Sequence, residues 1–107
     1  MANMMKMLKK AASMQEELMK VQGQLAEKTV DFSSGGGMVT ATVSGDGSVK
    51  RVRIDPKVVN PGDVELLEDM VLAAVEGAQK AAREMTSAEM SKLASEMGLP
   101  GLPGLGM

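Results

Sequence analysis

Histidine, cysteine, tryptophan and tyrosine are absent from this 107-residue chain, and Phe32 is its only aromatic residue. Without His or Cys there is no Ser-His-Asp triad, no thiolate nucleophile and no zinc site built from the usual ligands. Disulfides are excluded, so the fold is held by packing alone. Without Trp or Tyr, stacking of bases on an aromatic platform is nearly closed. Carboxylates, lysines and serines remain, a thin set for catalysis, and the chain is expected to be no enzyme. No cofactor, metal or small-molecule substrate is expected either. Long apolar runs are missing too: Lys6 interrupts Met4–Leu8, and Lys9-Lys10 follow at once. That excludes a signal-peptide core and a spanning helix, so a cytoplasmic protein with no membrane partner is expected.

Methionine, by contrast, occurs twelve times, and it repacks more readily than branched residues. Residues 3–27 carry Met4, Met7, Ala11, Met14, Leu18, Val21 and Leu25 at alternating spacings of three and four. This is a narrow heptad seam on a helix, suited to a partner helix. Only Gly23 weakens it, by about 1 kcal/mol relative to Ala.

The period then changes. Thr29–Ser33 alternates, Gly35-Gly36-Gly37 supplies a turn, and Met38–Ser44 places Val39, Ala41 and Val43 on one face. Gly45-Asp46-Gly47 is a hairpin turn, since Asp-Gly fits positive φ. Ser48–Asp55 follows as a third strand, expected to set Val52 and Ile54 against Val49, Arg51 and Arg53; Asp55-Pro56 stops it. A second helix opens at Asn60-Pro61 or at Asp63 and runs to about Met97, with Gly98 as its C′ residue. Its apolar positions are Leu67, Val71, Ala74, Ala78, Ala81, Met85 and Ala88. Leu99–Met107 repeats Leu-Pro-Gly and is expected to be a flexible tail to a single domain of residues 1–98.

The expected fold is therefore α+β, an α-β-β-β-α protomer with a three-stranded antiparallel sheet and two long helices. At 1.5 Å per residue the helices measure about 37 and about 50 Å. A compact chain of this length has a diameter of roughly 34 Å, so both overshoot. A symmetric homodimer is the economical destination for the apolar surplus.

The net charge of −2 averages two unlike halves. Residues 1–57 hold nine basic against six acidic groups, and residues 58–107 hold three against eight. Lys6, Lys9 and Lys10 lie within one and a half turns of the first helix; Lys50, Arg51 and Arg53 cluster on the third strand. Arg51 and Arg53 on one strand face stand about 7 Å apart, close to the phosphate step of a nucleic-acid strand. The planar guanidinium fork suits phosphate oxygens. Gly35-Gly36-Gly37 has no following Gly-Lys-Ser/Thr and sits between strands, so it is a turn rather than a phosphate loop. Glu65 and Asp69 share a helix face but have no third converging ligand, and acids are favoured at a helix start in any case.

The stretch Gly36–Val43, the hairpin through Val49–Pro56 and the helical segment Leu67–Val71 with Ala73-Ala74 resemble the YbaB/EbfC family. Its Met- and Gln-containing opening helix and Leu-Pro-Gly close match as well. The resemblance implies a tweezer-like homodimer that binds DNA, associates with the bacterial nucleoid and in some members acts on gene expression. By position it implies DNA contact at Lys6, Lys9 and Lys10, and less firmly at Lys80, Arg83 and Lys92. Lys50, Arg51 and Arg53 are added from the residues themselves. Few arginines, no aromatic wedge and no helix-turn-helix pattern argue for phosphate contact over base reading. The competing expectation is a protein-interaction adaptor whose Met7 and Met14 grip a partner helix. A third places the basic amphipathic start on an anionic membrane.

Overall fold

Asp63, rather than Asn60, starts the second helix. Its carboxylate accepts the Leu66 amide at 3.3 Å, while Asn60 Oδ1 accepts from Gly62 N at 2.9 Å and so closes a turn one step earlier. The computed structural model describes residues 2–98; the stretch expected to be a tail, 99–107, lies outside the described residues. The elements are α1 (Ala2–Glu27), β1 (Thr29–Ser34), β2 (Val39–Ser44), β3 (Val49–Ile54) and α2 (Val64–Glu96). Short 3-10 turns at Gly35–Gly37 and Pro56–Val58 link them. The α-β-β-β-α order and the antiparallel sheet β1-β2-β3 are those expected from the sequence.

The core lies between the central strand and α2. Val39, Ala41 and Val43 alternate onto one face of β2 and are fully buried against Ala74, Ala78 and Ala82. Alternation in a strand has period two, and i+4 spacing in a helix keeps one face, so six small residues make a seam. The alanines let the helix lie close to the sheet, and Phe32 on β1 sits where a side chain at Gly77 would be. The expected stripe on α2 is thereby corrected: Ala81 and Met85 are half-buried and Ala88 is exposed, while Ala82, Leu93 and Ala94 are buried. A straight helix drifts from a 3.5-residue repeat, and a sheet takes the i+4 row.

A bulge corrects the third strand. Thr42 pairs with Arg51 but Val43 pairs with Val49, so Lys50 is an extra residue in β3. The insertion flips Val49 from the arginine face to the face of Val52 and Ile54. These three are on the α2 side of the sheet, yet α2 covers them only in part: they are 44%, 38% and 37% exposed.

Only the second half of α1 is packed. Leu25 is buried and Met14, Leu18 and Val21 are half-buried, while Met4, Met7, Leu8 and Ala11 are exposed. The joint to the sheet is the β2–β3 turn, where Gly45 N donates to Leu25 O (3.0 Å) and Lys28 O (2.9 Å). On the other side, Thr86 Oγ1 donates to Gly45 O at 2.9 Å and Gln79 Nε2 to Gly47 O at 3.3 Å. The turn is thus clamped between the two helices. The outcome is a rod of 74 × 23 × 16 Å with a radius of gyration of 19.6 Å, against about 13 Å for a compact chain of this size.

Candidate nucleic-acid interface

Lys6, Lys9 and Lys10 are all exposed on the free half of α1, beyond the last turn of α2. At about 100° per residue, Lys9 and Lys20 fall on the side of α1 turned away from the Met14–Leu18–Val21–Leu25 stripe. Lys6 and Lys10 flank that stripe. Glu16 and Glu17 follow, so the tip is a discrete basic patch and not the start of a basic helix.

The second group sits on the face of the sheet opposite α2. Register places two rows there: Asp31–Thr42–Arg51 and Ser33–Thr40–Arg53. Thr42 Oγ1 donates to Asp31 Oδ1 at 2.6 Å, and the Ser33 and Thr40 hydroxyls are 2.8 Å apart. The hydroxyl side chains therefore occupy Asp31 and one another, leaving the guanidinium groups of Arg51 and Arg53 at the open edge. Lys50 adds a third cation at the bulge. The threonine and serine neighbours escape a reading of single segments, because only cross-strand register sets them beside the arginines.

Ion pairing leaves these groups available. Among the described residues the only ion pair is Lys28 Nζ–Glu89 Oε1, at 3.6 Å. Within the same residues, none of Lys6, Lys9, Lys10, Lys50, Arg51 or Arg53 has a carboxylate oxygen within 4.0 Å. Asp46 in the β2–β3 turn is a perturbed carboxyl. The Ser44 hydroxyl, then the Ser48 amide, hold its pKa down at about 2, against an ordinary 3.8. The α2 candidates are less apt. Lys92 lines the cleft between the helices together with Glu17, Glu89 and Glu96, and Arg83 borders a shallow hollow with Met90 and the 45–47 turn.

The candidate residues thus fall into two separate patches, one at the arm tip and one on the outer sheet face. Among the described residues no helix is long and apolar enough to cross a membrane, and no three carboxylates converge on a metal position.

Residues 1–97 match the sequence model of the YbaB/EbfC DNA-binding family. A nucleoid-associated protein of Rhodococcus opacus is 47% identical over 103 residues, covering 96% of this chain and 91% of its own. One from Acetivibrio thermocellus is also 47% identical, over 96% of this chain and 89% of its own. The crystal structure of the uncharacterized protein HP0035 from Helicobacter pylori superposes with a TM-score of 0.65 at 24% identity. It covers 81% of this chain and 87% of that one, a likeness of fold.

Proposed function

The chain belongs to the YbaB/EbfC DNA-binding family, which is not an enzyme family, and from that premise we propose that it is a nucleoid-associated protein of the cytoplasm. It binds duplex DNA as a homodimer, mainly through phosphate contacts, and serves nucleoid organisation and the control of gene expression. The observation that carries this reading is the set of six exposed cations with, among the described residues, no carboxylate oxygen within 4.0 Å: Lys6, Lys9, Lys10, Lys50, Arg51 and Arg53. Each phosphate they neutralise releases counterions, a favourable term indifferent to base sequence. Two copies of each patch add through the dimer.

Self-association has its own support. β3 is an edge strand whose six residues are all exposed, including the apolar inner face of Val49, Val52 and Ile54. An edge strand with a partly uncovered apolar face can pair with a second copy, and antiparallel β3–β3 pairing would join the two sheets.

A salt-titrated gel shift beside a mass measurement tests the proposal. Expected are a dimer and an affinity falling by orders of magnitude between about 50 and about 200 mM salt. Retardation undiminished by salt would remove the phosphate account. The adaptor reading draws on the exposed Met4, Met5 and Met7. A protein partner that no longer binds Met7→Ala/Met14→Ala, with no DNA affinity in the parent, would favour it.

A further inference from the structure

Resting on that reading, we infer that a protomer lies with its long axis along the duplex, the α1 tip and the outer face of β3 gripping phosphates about one helical turn apart. The arrangement is set by α2. Ala74, Ala78, Ala82, Glu89, Leu93 and Glu96 follow one another at spacings of four, four, seven, four and three, which keeps them on one face of the helix. The first three pack on the sheet, and the last three line the cleft with Glu17, Val21 and Leu25 of α1. The sheet and α1 therefore rest on the same side of one continuous helix, in succession along it. Each turns its apolar face toward α2, so the solvent face of the sheet and the solvent face of α1 look the same way. Arg51 and Arg53 stand on the first, and Lys9 stands on the second with Lys6 at its flank.

Their separation follows from the chain geometry. Lys9 to Lys28 is about 28 Å of helix. Lys28 meets Gly45 at the joint, and Gly45 to Thr42, the partner of Arg51, is about 10 Å of strand. Helix and strand run in line along a molecule 74 Å long, which a fold-back of α1 over the sheet would not produce. Lys9 and Arg51 are thus about 38 Å apart, against a duplex repeat of about 34–36 Å, a difference within the reach of flexible Lys and Arg side chains. Patches on one side of a rod, one repeat apart, meet equivalent phosphates on one side of a straight duplex. Between them α1 carries Glu16, Glu17 and, on the Lys9 side, Lys20.

The test uses the full chain and duplexes of 8 to 24 base pairs, with binding followed by fluorescence anisotropy at two salt concentrations. At about 3.4 Å per base pair, both patches engage only above about 11 base pairs. Affinity is expected to step up there by about tenfold or more, as the second contact becomes intramolecular. Arg51→Ala/Arg53→Ala is expected to abolish the step and to leave 8-base-pair binding within about twofold. Lys6→Ala/Lys9→Ala is expected to abolish it from the other end. A repeat of residues 11–17 inserted after Glu17 preserves the heptad phase and moves the tip by about 10 Å. It takes the patches to about 48 Å apart, out of phase with the repeat of about 34–36 Å, and should abolish the step. A step that survives the insertion, or removal of either patch, overturns the inference while DNA binding stands. No salt-dependent affinity at 24 base pairs in the parent overturns DNA binding itself, and the inference with it.

Discussion

Gly45 occupies a position where a Cβ would overlap the carbonyl oxygen of Leu25, and its own amide donates to that same oxygen at 3.0 Å. The contact is backbone on backbone, so nothing at the end of a flexible side chain can yield. It is the joint by which α1 is held in line with the sheet.

Gly45→Ala is therefore expected to destabilise the protein by about 1–3 kcal/mol, the usual range for overpacking a tight site. Urea unfolding followed by circular dichroism measures this. An unchanged midpoint would mean that the joint has room the structure does not show.

Two helical glycines should respond in opposite directions. Gly23 has no heavy atom near its absent Cβ, so Gly23→Ala should stabilise by up to about 1 kcal/mol through helix propensity. At Gly77 the added methyl would overlap the Phe32 ring, and displacing that ring is expected to outweigh the same propensity gain. Paired thermal denaturations check both signs. Equal stabilisation would show that Phe32 swings aside freely.

The Asp46 carboxyl should leave a signature in acid. Its pKa is lowered in the folded chain to about 2, first by the Ser44 hydroxyl and then by the Ser48 amide. A depressed carboxyl stabilises the fold above its ordinary pKa of 3.8, and that contribution disappears as pH falls toward about 2. Asp46→Asn keeps an acceptor but does not titrate, so its stability should vary less with pH between about 4 and about 2. Chemical denaturation at three pH values decides; parallel profiles would remove Asp46 from the acid response.

Val52 is 38% exposed in the protomer although it faces the α2 side of the sheet. Val52→Asp is expected to retain the helical spectrum and to convert a dimer into a monomer, because a carboxylate would be buried unpaired at a β3–β3 seam. Sedimentation equilibrium reads this directly, and a dimer of unchanged affinity would move the interface elsewhere.

Lys6→Ala, Lys9→Ala and Lys10→Ala together should make the dependence of log K on log salt shallower, by about 0.9 for each phosphate no longer neutralised. The weakening should be the same on duplexes of unrelated sequence, since phosphate contacts carry no base information. A slope equal to the parent's would take the arm tip out of the site.

Most of the element order is legible from local signals. Asp-Gly at the hairpin, Asp55-Pro56 after β3 and the change from a 3.5 to a 2.0 period all act within a few residues. The face taken by Val49 is not legible, because a bulge is set by pairing with Thr42 and Val43, a non-local event. Ala82 stands outside the expected stripe for a related reason: with both Ala81 and Ala82 present, only the sheet beneath them selects which one is covered. At the candidate site, the cations and their two clusters are visible in the sequence, but the distance between the clusters is not.

The absence of His, Cys, Trp and Tyr still removes the His- and Cys-based chemistries and leaves Phe32 as the only ring for stacking, and no fold could restore the rest. Composition sets which functional groups exist, and helical and strand periods set which local elements form. How far apart those groups stand is another matter. A single α2 carries the sheet and α1 on one face in succession, which puts Lys9 and Arg51 on a common side of a 74 Å rod. That spacing depends on a cross-chain joint at Gly45 and Leu25, and contacts between segments distant in sequence leave no periodic trace in either one.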